Sequence, residues 1–401
     1  MSDQEGKNRK SVIIISLLTA ACLLGDSMLY IVLPIHWREV GLASLWEVGI
    51  LLSVNRMVRL PLNPLVGWLY GRMSSRSGVL FAGTLAVGTT FSYAVCTGFA
   101  AWLVLRCIWG VAWTFLRLGA YFTILDVSGD NNRGYYMGLY NGLYRLGSLG
   151  GMLAGGYLAD QFGIGVTAVF FGSLTLVSIP FAWRLIPASG AHAPQTKTSG
   201  IKLADLFQAP VFWTLLTGLC IAMTYQGAFT STLSYLIQAH NEPVVALAGF
   251  SIGAASLGGV LQALRWGWEP WLAPWFGKVS DGAFGRRRML IGTLVAAATL
   301  FSLLALPLPL GVWLLLIMGI LLTATILTTI VDAVACDVAS GATPKTFMTA
   351  YSFAIDIGAA LGPLAAFSLN GIWGPYAVYW LIAGMLLLLA SKWLLCPILK
   401  M

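Results

Sequence analysis

Ten ionisable side chains interrupt the long apolar stretches of this sequence, and they are the residues best placed to do chemistry. They are Asp26, Arg56, Arg59, Arg106, Arg117, Arg145, Arg265, Glu269, Asp332 and Asp356. In a hydrocarbon environment each such charge costs at least about 2.5–3.5 kcal/mol unless it is paired or hydrated. Charges retained at that cost are candidates for proton relays and for substrate contacts.

Asp26, in the segment GDSMLY, is the first candidate for a proton carrier. Burial favours the neutral acid and a nearby arginine favours the carboxylate, so such a group binds and releases a proton as its surroundings change. Arg106 and Arg117 lie eleven residues apart, which places them on one face of a helix. We predict that Asp26 couples protons, with Arg106 or Arg117 competing for the carboxylate. Asp332 is a second candidate, and a static buried ion pair is the alternative.

The apolar stretches themselves are typical of transmembrane helices. Hydrophobic residues make up 58% of the 401 residues and charged residues 9%, and the mean hydropathy is +0.82. This composition lies outside the range of soluble domains. We predict an all-α membrane protein with twelve spans, at 11–36, 45–70, 78–99, 101–125, 135–159, 164–185, 209–238, 244–276, 289–308, 311–335, 347–372 and 376–396.

The basic residues orient these spans. Sixteen Lys and Arg residues fall on the side of the N-terminus, and Arg38 falls on the other. Because basic loops remain in the cytoplasm, we expect cytoplasmic N- and C-termini. The prediction is a multi-pass protein of the cell (inner) membrane, with an uncleaved first span.

A polar stretch at 187–208 divides the spans into two sets of six. It predicts a cytoplasmic linker between an N-terminal bundle, 1–186, and a C-terminal bundle, 209–401. A shift of 211 residues aligns MGLYNGLYRLGSLGG with MTAYSFAIDIGAALG, and a shift of 210 aligns PLVGWLYGR with PWFGKVSDG. Two parallel six-helix repeats around a central cavity are an architecture of secondary transporters.

The loops after the second and eighth spans carry related motifs. In GKVSDGAFGRR the pattern is G-x-x-x-D followed by G-R-R, whereas GWLYGRMSSR has Gly71 where the aspartate is expected. The motif residues are Gly67 and Arg72 in the first copy and Gly277, Asp281, Arg286 and Arg287 in the second. On these motifs the chain resembles, over essentially its whole length, a transporter of the major facilitator superfamily.

The resemblance extends to two further segments. LRCIWG, with Arg106, is similar to an arginine motif of the fourth span in this superfamily. Gly147, Gly151, Gly155 and Gly156 resemble the glycine motif of its proton-coupled drug and metabolite antiporters, with Met152 at the position expected for proline. Small residues at this spacing also serve close helix packing, which is the alternative interpretation.

The repeat places opposite charges at equivalent positions, because Arg59 corresponds to Glu269 and Arg145 corresponds to Asp356. In the superfamily, span two packs on span eleven and span five on span eight. The resemblance therefore implies two ion pairs between the halves, Arg59 with Asp356 and Arg145 with Glu269. The alternatives are that these residues line the cavity, or that Glu269 pairs locally with Arg265. We also expect Asp337 to lie near the loop arginines.

Several polar and aromatic residues are expected to line a central cavity: Tyr30, Asn55, Arg56, Trp109, Trp113, Tyr140, Asn141, Tyr144, Tyr225, Gln226 and Gln262. The surplus of arginines over carboxylates within the spans favours an anionic or zwitterionic substrate. We predict a proton-coupled exporter of a small organic solute or drug that acts by alternating access. A proton-coupled importer is the alternative, and a non-transporting membrane sensor is a third possibility.

Other classes of function find no support in the sequence. No Walker loop, HExxH or GxSxG motif occurs, which argues against an enzyme. The Cys and His residues lack metal-ligand spacing, and no cofactor is expected. The predicted partners are a small-molecule substrate, protons and the lipid bilayer, without nucleic acid, and the protein is expected to be a monomer.

Overall fold

The fold comes from a computed structural model that describes residues 3–127, 133–186, 209–240, 244–247, 250–282, 285–340 and 344–395. The predicted linker, 187–208, lies outside the described residues. Within them the chain is an all-α membrane fold with one small hairpin. The helices of the first half are α1 (Asp3–His36), α2 (Leu45–Tyr70), α3 (Ser75–Ser92), α4 (Phe99–Val127) and α5 (Arg133–Leu185).

The second half begins with a composite helix. It consists of α6 (Ala209–Ile221), a π-helical segment π1 (Ala222–Phe229) and α7 (Thr230–His240). The hairpin β1 (Val244–Leu247) and β2 (Phe250–Gly253) follows. The remaining helices are α8 (Ala254–Asp281), α9 (Arg286–Leu304), α10 (Leu310–Ser340), α11 (Pro344–Trp373) and α12 (Ala377–Leu395).

These elements supply the twelve predicted spans. Helix α5 is broken at Gly163, whose φ of 79° is left-handed and accessible to glycine, so it forms two spans. The composite helix 209–240 forms one span, which brings the number of long helical segments in the described residues to twelve. Eight helices meet a strict criterion of length and apolarity when α5 is counted once. Helices α2, α3 and α8 fall outside it, and α2 and α8 carry several of the charges of interest.

The eighth span begins later than predicted. The sequence predicted a span from residue 244, but α8 begins at Ala254 and the hairpin occupies the preceding residues. The strands are antiparallel, with Val244 paired to Gly253 and Leu247 to Phe250. The β-branched Val244 and Val245 favour extended backbone, which explains why the apolar run does not start as a helix.

The described chain forms two compact units. The first comprises 1–196 and 233–263, and the second comprises 197–232 and 264–401. In the first unit α1 packs on α5, and both α2 and α3 pack on α4. In the second unit α6 and π1 pack on α11, and α9 packs on α10 and α12. The bundle boundaries at 186 and 209 remain predictions.

Equivalent glycines bring helices into backbone contact in each unit. A Cβ on Gly147 would collide with the carbonyl oxygen of Ala20 on α1, and a Cβ on Gly358 would collide with that of Leu219 on α6. Such close approach needs glycine and lets van der Waals packing hold the helices together. This contact supports the packing interpretation of the glycine motif.

Candidate coupling and substrate site

Asp26 and Arg106 form a buried ion pair between α1 and α4. The Nη1 of Arg106 donates to Oδ1 of Asp26, and both side chains are almost fully buried. Asp26 precedes the end of α1 by ten residues, about 15 Å along the helix axis. Of the two predicted arginine partners, the structure therefore pairs Arg106 with Asp26.

Helix α2 supplies the other contacts of this pair. Nε of Arg106 donates to the carbonyl oxygen of Leu51 at 2.9 Å, and Nδ2 of Asn55 donates to Oδ1 of Asp26 at 3.4 Å. Asn55, predicted to line the cavity, is fully buried against the pair. Three helices thus converge on a single carboxylate oxygen.

The ion pair is not fully satisfied. Nη2 of Arg106 and Oδ1 of Asn55 are buried, and neither has a hydrogen-bond partner among the described residues. Buried polar groups in proteins are nearly always hydrogen-bonded, and an unsatisfied one marks a functional site or a place for water. The static ion pair alone does not account for these two buried polar atoms.

Tyr93, in the turn after α3, was not singled out from the sequence. Its ring stacks on Trp102 with centroids 4.8 Å apart. Both Tyr93 and Trp102 are buried.

Arg117 lies elsewhere on α4. Its Nε donates to the hydroxyl oxygen of Tyr121 at 3.2 Å, and its guanidinium carbon is 5.7 Å from the centre of the Tyr121 ring. Tyr121, Tyr140, Tyr144 and Trp113 form a chain of rings with centroid separations of 6.1, 4.9 and 5.9 Å. Arg117 thus belongs to an aromatic face of α4 and α5 rather than to the Asp26 pair.

Arg59 of α2 lies at the other end of this aromatic face. Its guanidinium carbon is 5.1 Å from the centre of the Trp113 ring. Trp113 is 9% exposed, and its indole Nε1 has no hydrogen-bond acceptor among the described residues. The rings and the two terminal arginines combine apolar surface with positive charge, and we call them the aromatic–arginine face.

Arg56 and Tyr30 meet on the adjoining part of α1 and α2. Nε of Arg56 donates to the hydroxyl oxygen of Tyr30 at 3.4 Å, and the guanidinium carbon is 5.9 Å from the ring centre. Tyr30 is buried, and Arg56 is half-buried. Asn141, another predicted lining residue, is half-buried on α5.

The second unit contains a buried contact between two neutral hydroxyl groups. The hydroxyl of Tyr225 in π1 lies 2.9 Å from Oγ1 of Thr323 in α10, and both residues are buried. Gln226 is half-buried in the same π-helical segment. Short π-helical segments inside α-helices are frequent at functional sites. The role of Tyr225 and Gln226 in lining a cavity stays a prediction.

Asp332, the second proton candidate, lies on an exposed part of α10. Its Oδ1 accepts a hydrogen bond of 2.7 Å from the hydroxyl of Tyr351 on α11. In this hydrogen bond the donor is the neutral hydroxyl group of Tyr351. That environment differs from the arginine-bound environment of Asp26.

The four residues of the predicted inter-half ion pairs lie on four different helices. Arg59 is buried on α2, and Arg145 is exposed on α5. Glu269 on α8 and Asp356 on α11 are half-buried. Their predicted pairing stays a prediction.

The second loop motif fastens helix ends within its unit. Arg286 donates to a carboxylate oxygen of Asp337 and to the carbonyl oxygen of Ala333, so the expected contact of Asp337 is present. Arg287 donates to the carbonyl oxygens of Trp393 and Leu394 at the end of α12, both at 2.9 Å. Gly277 is half-buried in the last turns of α8, and the side chain of Asp281 lies outside the described residues. Gly67 and Arg72 of the first copy lie at the end of α2.

The sequence analysis did not predict one polar cluster of the first unit. Oδ2 of Asp160 accepts from the backbone nitrogen of Ser256 at 2.7 Å and from its hydroxyl at 2.5 Å. Asp160 on α5 therefore caps the first turn of α8. His36 joins the cluster, with Nε2 3.9 Å from Oδ1 of Asp160 and Nδ1 2.6 Å from Oε1 of Glu39. Nothing in the sequence pattern links residues 160 and 256.

The family follows from comparison with known proteins. A model of the Major Facilitator Superfamily matches residues 15–268, more than half of the chain. The chain belongs to the Major Facilitator Superfamily, a family of transporters rather than of enzymes.

Two curated relatives agree. An uncharacterized MFS-type transporter of Methanocaldococcus jannaschii is 25% identical over 203 residues, 50% of this chain and 52% of the relative. An uncharacterized MFS-type transporter of Bacillus subtilis is 28% identical over 162 residues, 39% of this chain and 38% of the relative. The chain thus spans about half the length, or less, of the curated relatives it matches.

Solved structures share the fold over nearly the whole chain. A bacterial homolog of the human lysosomal transporter Spinster, inward-facing and unoccupied, has a TM-score of 0.76 at 13% identity and covers 98% of both chains. A peptide transporter POT in complex with sulfate has a TM-score of 0.71 at 16% identity, covering 97% of this chain and 94% of that one. At these identities the likeness shows the fold alone.

Proposed function

We propose that the protein is a secondary transporter that exports a small organic anion or zwitterion in exchange for protons by alternating access. The single observation that carries this proposal is the buried and incompletely satisfied Asp26–Arg106 pair. In this proposal the transporter acts as a monomer in the cell (inner) membrane, with cytoplasmic termini. Its partners are the solute, protons and the bilayer.

The ion pair supplies a physical link between protonation and conformation. When Asp26 binds a proton, Arg106 loses the carboxylate that offsets its burial. A buried charge left without its partner costs about 3–5 kcal/mol, so protonation favours a conformation in which water or substrate reaches the guanidinium. Loss of the proton favours the closed pair again. Proton binding and helix rearrangement are thereby coupled by linkage.

The aromatic–arginine face supports an anionic substrate. Arg59 and Arg117 supply positive charge at its two ends, and the indole N–H of Trp113 is a buried donor without a described acceptor. Planar guanidinium groups bind carboxylates through paired hydrogen bonds. Tyr144 adds an apolar surface against which an organic group can pack.

The opposite charges at repeat-equivalent positions extend the proposal to a gate. We propose that Arg59 and Asp356, and Arg145 and Glu269, act as two charge pairs whose separation accompanies opening toward the cytoplasm. Reversing one charge at 59 or 356 is expected to reduce transport, and reversing both is expected to restore it. If the double reversal is as impaired as the single variants, the gate assignment is wrong.

Proton coupling is tested by reconstituting the full chain into vesicles that contain a pH-sensitive dye. A panel of organic anions is added, and solute-driven proton movement is compared for the natural sequence, Asp26→Asn and Asp26→Glu. We expect Asp26→Asn to lose proton movement and Asp26→Glu to retain part of it. Solute exchange without a proton gradient, measured in the same vesicles, shows that the variants remain folded.

Asp332→Asn is the matched control because it neutralises the other carboxylate predicted to couple. We expect it to keep coupling, because the side chain of Asp332 is exposed, whereas Asp26 is buried beside Arg106. Transport by Asp26→Asn with unaltered pH dependence would remove the proton role of Asp26. Vesicles of known orientation then separate export from import by the gradient that drives net flux.

A further inference from the structure

The two copies of the loop motif use their arginines differently. In the second copy, Arg286 and Arg287 are bound within the unit by Asp337 and by the last carbonyl groups of α12. In the first copy, Arg72 lies over the ring of Trp68 at 3.6 Å, and Arg76 lies 5.4 Å from the centre of the Trp183 ring. Neither Arg72 nor Arg76 donates a hydrogen bond to a described residue. The first copy therefore presents two guanidinium groups whose N–H donors are available.

The two copies also differ in their local sequence. The second copy has Asp281 in its motif, whereas the first has Gly71 at the matching position. The segment from Gly71 to Arg76, which comprises the turn between α2 and α3 and the first two residues of α3, contains no carboxylate. Positive charge at this turn consequently has no local counterion.

The surroundings of these arginines are apolar and exposed. Trp68 is 47% exposed, Trp183 is 55% exposed and Phe181 is 62% exposed. Arg184, next to Trp183, is also exposed. In membrane proteins, tryptophans are enriched at the level of the lipid headgroups, where one part of the ring meets acyl chains and another meets water.

We propose that the turn between α2 and α3 is a binding site for the phosphate of an anionic phospholipid. Arg72 and Arg76 bind the phosphodiester group by hydrogen bonds from their guanidinium groups. The planar arrangement of these donors matches the oxygens of a phosphate. Trp68 and Trp183 pack against the glycerol and the first carbons of the acyl chains. A lipid fits better than free phosphate because the two rings offer contact area that an inorganic ion cannot use. With the predicted orientation, the lipid belongs to the cytoplasmic leaflet.

The expected strength follows from general membrane electrostatics. A basic residue near an anionic membrane surface increases the binding affinity about fivefold. Loss of both arginines should therefore lower the affinity for the anionic lipid about 30-fold. Because the contact is at the surface, rising salt should also weaken it. Replacement of both arginines by lysine keeps the charge but loses the paired hydrogen bonds, and an intermediate affinity is expected.

The test uses native mass spectrometry of the full chain in detergent, titrated with dioleoylphosphatidylglycerol and, separately, with dioleoylphosphatidylcholine. We expect the anionic lipid to bind more tightly, and the Arg72→Gln/Arg76→Gln variant to lose about 30-fold of that affinity. Arg288→Gln removes an exposed arginine from the first turn of α9 and is the matched control, with a much smaller loss of affinity expected than in the double variant. Melting temperatures of all variants should agree, which shows that the loop changes leave the fold intact.

Two further measurements distinguish the binding of a lipid from the binding of a soluble anion. Trp68→Leu with Trp183→Leu should weaken phosphatidylglycerol binding, and inorganic phosphate at equal concentration should not displace the lipid. Equal affinity for the two lipids, equal affinity in the double arginine variant, or an equal loss in Arg288→Gln would overturn the proposal. Displacement by inorganic phosphate would also overturn it, in favour of a soluble anion.

Discussion

The cores of the two repeats share a backbone plan but differ in their polar contacts. Gly147 and Gly151 approach the carbonyl groups of Ala20 and Leu24, and Gly358 and Gly362 approach those of Leu219 and Met223. The partners on the first helix of each repeat are offset by 199 residues, 20 to 219 and 24 to 223. The same offset places Tyr225 at the position of Asp26.

At this shared position the first repeat has an ion pair and the second a neutral hydrogen bond. Asp26 joins α1 to α4 through Arg106, and Tyr225 joins π1 to α10 through Thr323. A carboxylate bound to arginine is switched by one proton, whereas a contact between two hydroxyl groups is insensitive to pH in the physiological range. In the proposed mechanism, proton sensitivity is therefore confined to the first repeat.

The second repeat differs in its backbone instead. The first helix of the first repeat, α1, is α-helical throughout, but its counterpart contains the π-helical segment around Tyr225. Gly227 and Gly362 face each other closely at this segment, and Oγ1 of Thr230 donates to the carbonyl oxygen of Tyr225 at 2.7 Å. A π-helical segment changes the helical register locally, which rotates side chains such as Gln226. The comparison shows that equivalent helices of the two repeats differ in separate ways. The first carries a buried ion pair, and the second carries a π-helical segment.

The largest expected effect is on the ion pair. Asp26→Asn leaves the Arg106 charge buried without a carboxylate and should destabilise the protein by about 3–5 kcal/mol in reversible unfolding in detergent. The double variant Asp26→Leu with Arg106→Met removes both charges and should recover much of that loss. An Asp26→Asn protein as stable as the natural one would show that the pair is hydrated rather than buried.

The glycine contacts should behave alike in the two repeats, which sharpens the comparison. Gly147→Ala and Gly358→Ala each force a methyl group against a carbonyl oxygen and should cost about 1–3 kcal/mol in the same unfolding measurement. Gly142→Ala and Gly371→Ala are the matched controls, since a Cβ at either position meets nothing within 4 Å. A marked difference between Gly147→Ala and Gly358→Ala would contradict the shared backbone plan.

The cap on α8 should have a smaller effect. Asp160→Ala removes the acceptor for the backbone N–H of Ser256 and should cost about 0.5–2 kcal/mol. Hydrogen exchange of the first turn of α8 should accelerate in this variant. Ser256→Ala keeps the backbone hydrogen bond and should leave exchange nearly unchanged, so equal exchange in both variants would refute the cap.

The smallest effect is expected at the neutral contact. Tyr225→Phe removes one hydroxyl and should cost about 0.5–1.5 kcal/mol. The pH dependence of solute-driven proton movement should stay the same, in contrast to Asp26→Asn. A shift in that pH dependence would show that the two repeats share the proton-sensitive role.

Much of the fold could be predicted because it depends on local composition. Long apolar runs predict spans, and Gly163 lies between two predicted spans where α5 is broken. Asp26 and Arg106 could be singled out because charge within an apolar run is costly wherever the run packs. The sequence analysis placed the start of α8 ten residues too early. An apolar run that contains β-branched residues is compatible with a helix and also with a hairpin.

Contacts between distant segments were harder to predict. The sequence offered Arg106 and Arg117 equally as partners of Asp26, and their spacing on one helix face could not separate them. Asp160 and Ser256 are 96 residues apart, and no sequence pattern predicts that one caps the helix of the other. The hydrogen bonds of Arg106 to Asp26 and to the carbonyl oxygen of Leu51 depend on three helices meeting at one place.

The sequence by itself determined the membrane class, the twelve spans, the duplicated plan and the set of charges that need partners. These follow from hydrophobicity, charge and spacing, which act along the chain. The tertiary structure alone decided that Arg106 rather than Arg117 binds Asp26, that Tyr225 meets Thr323, and that Arg72 and Arg76 rest on exposed tryptophans. The reason is that such pairings depend on the rotation and depth of each helix against its neighbours, and these are settled by packing between segments far apart in sequence.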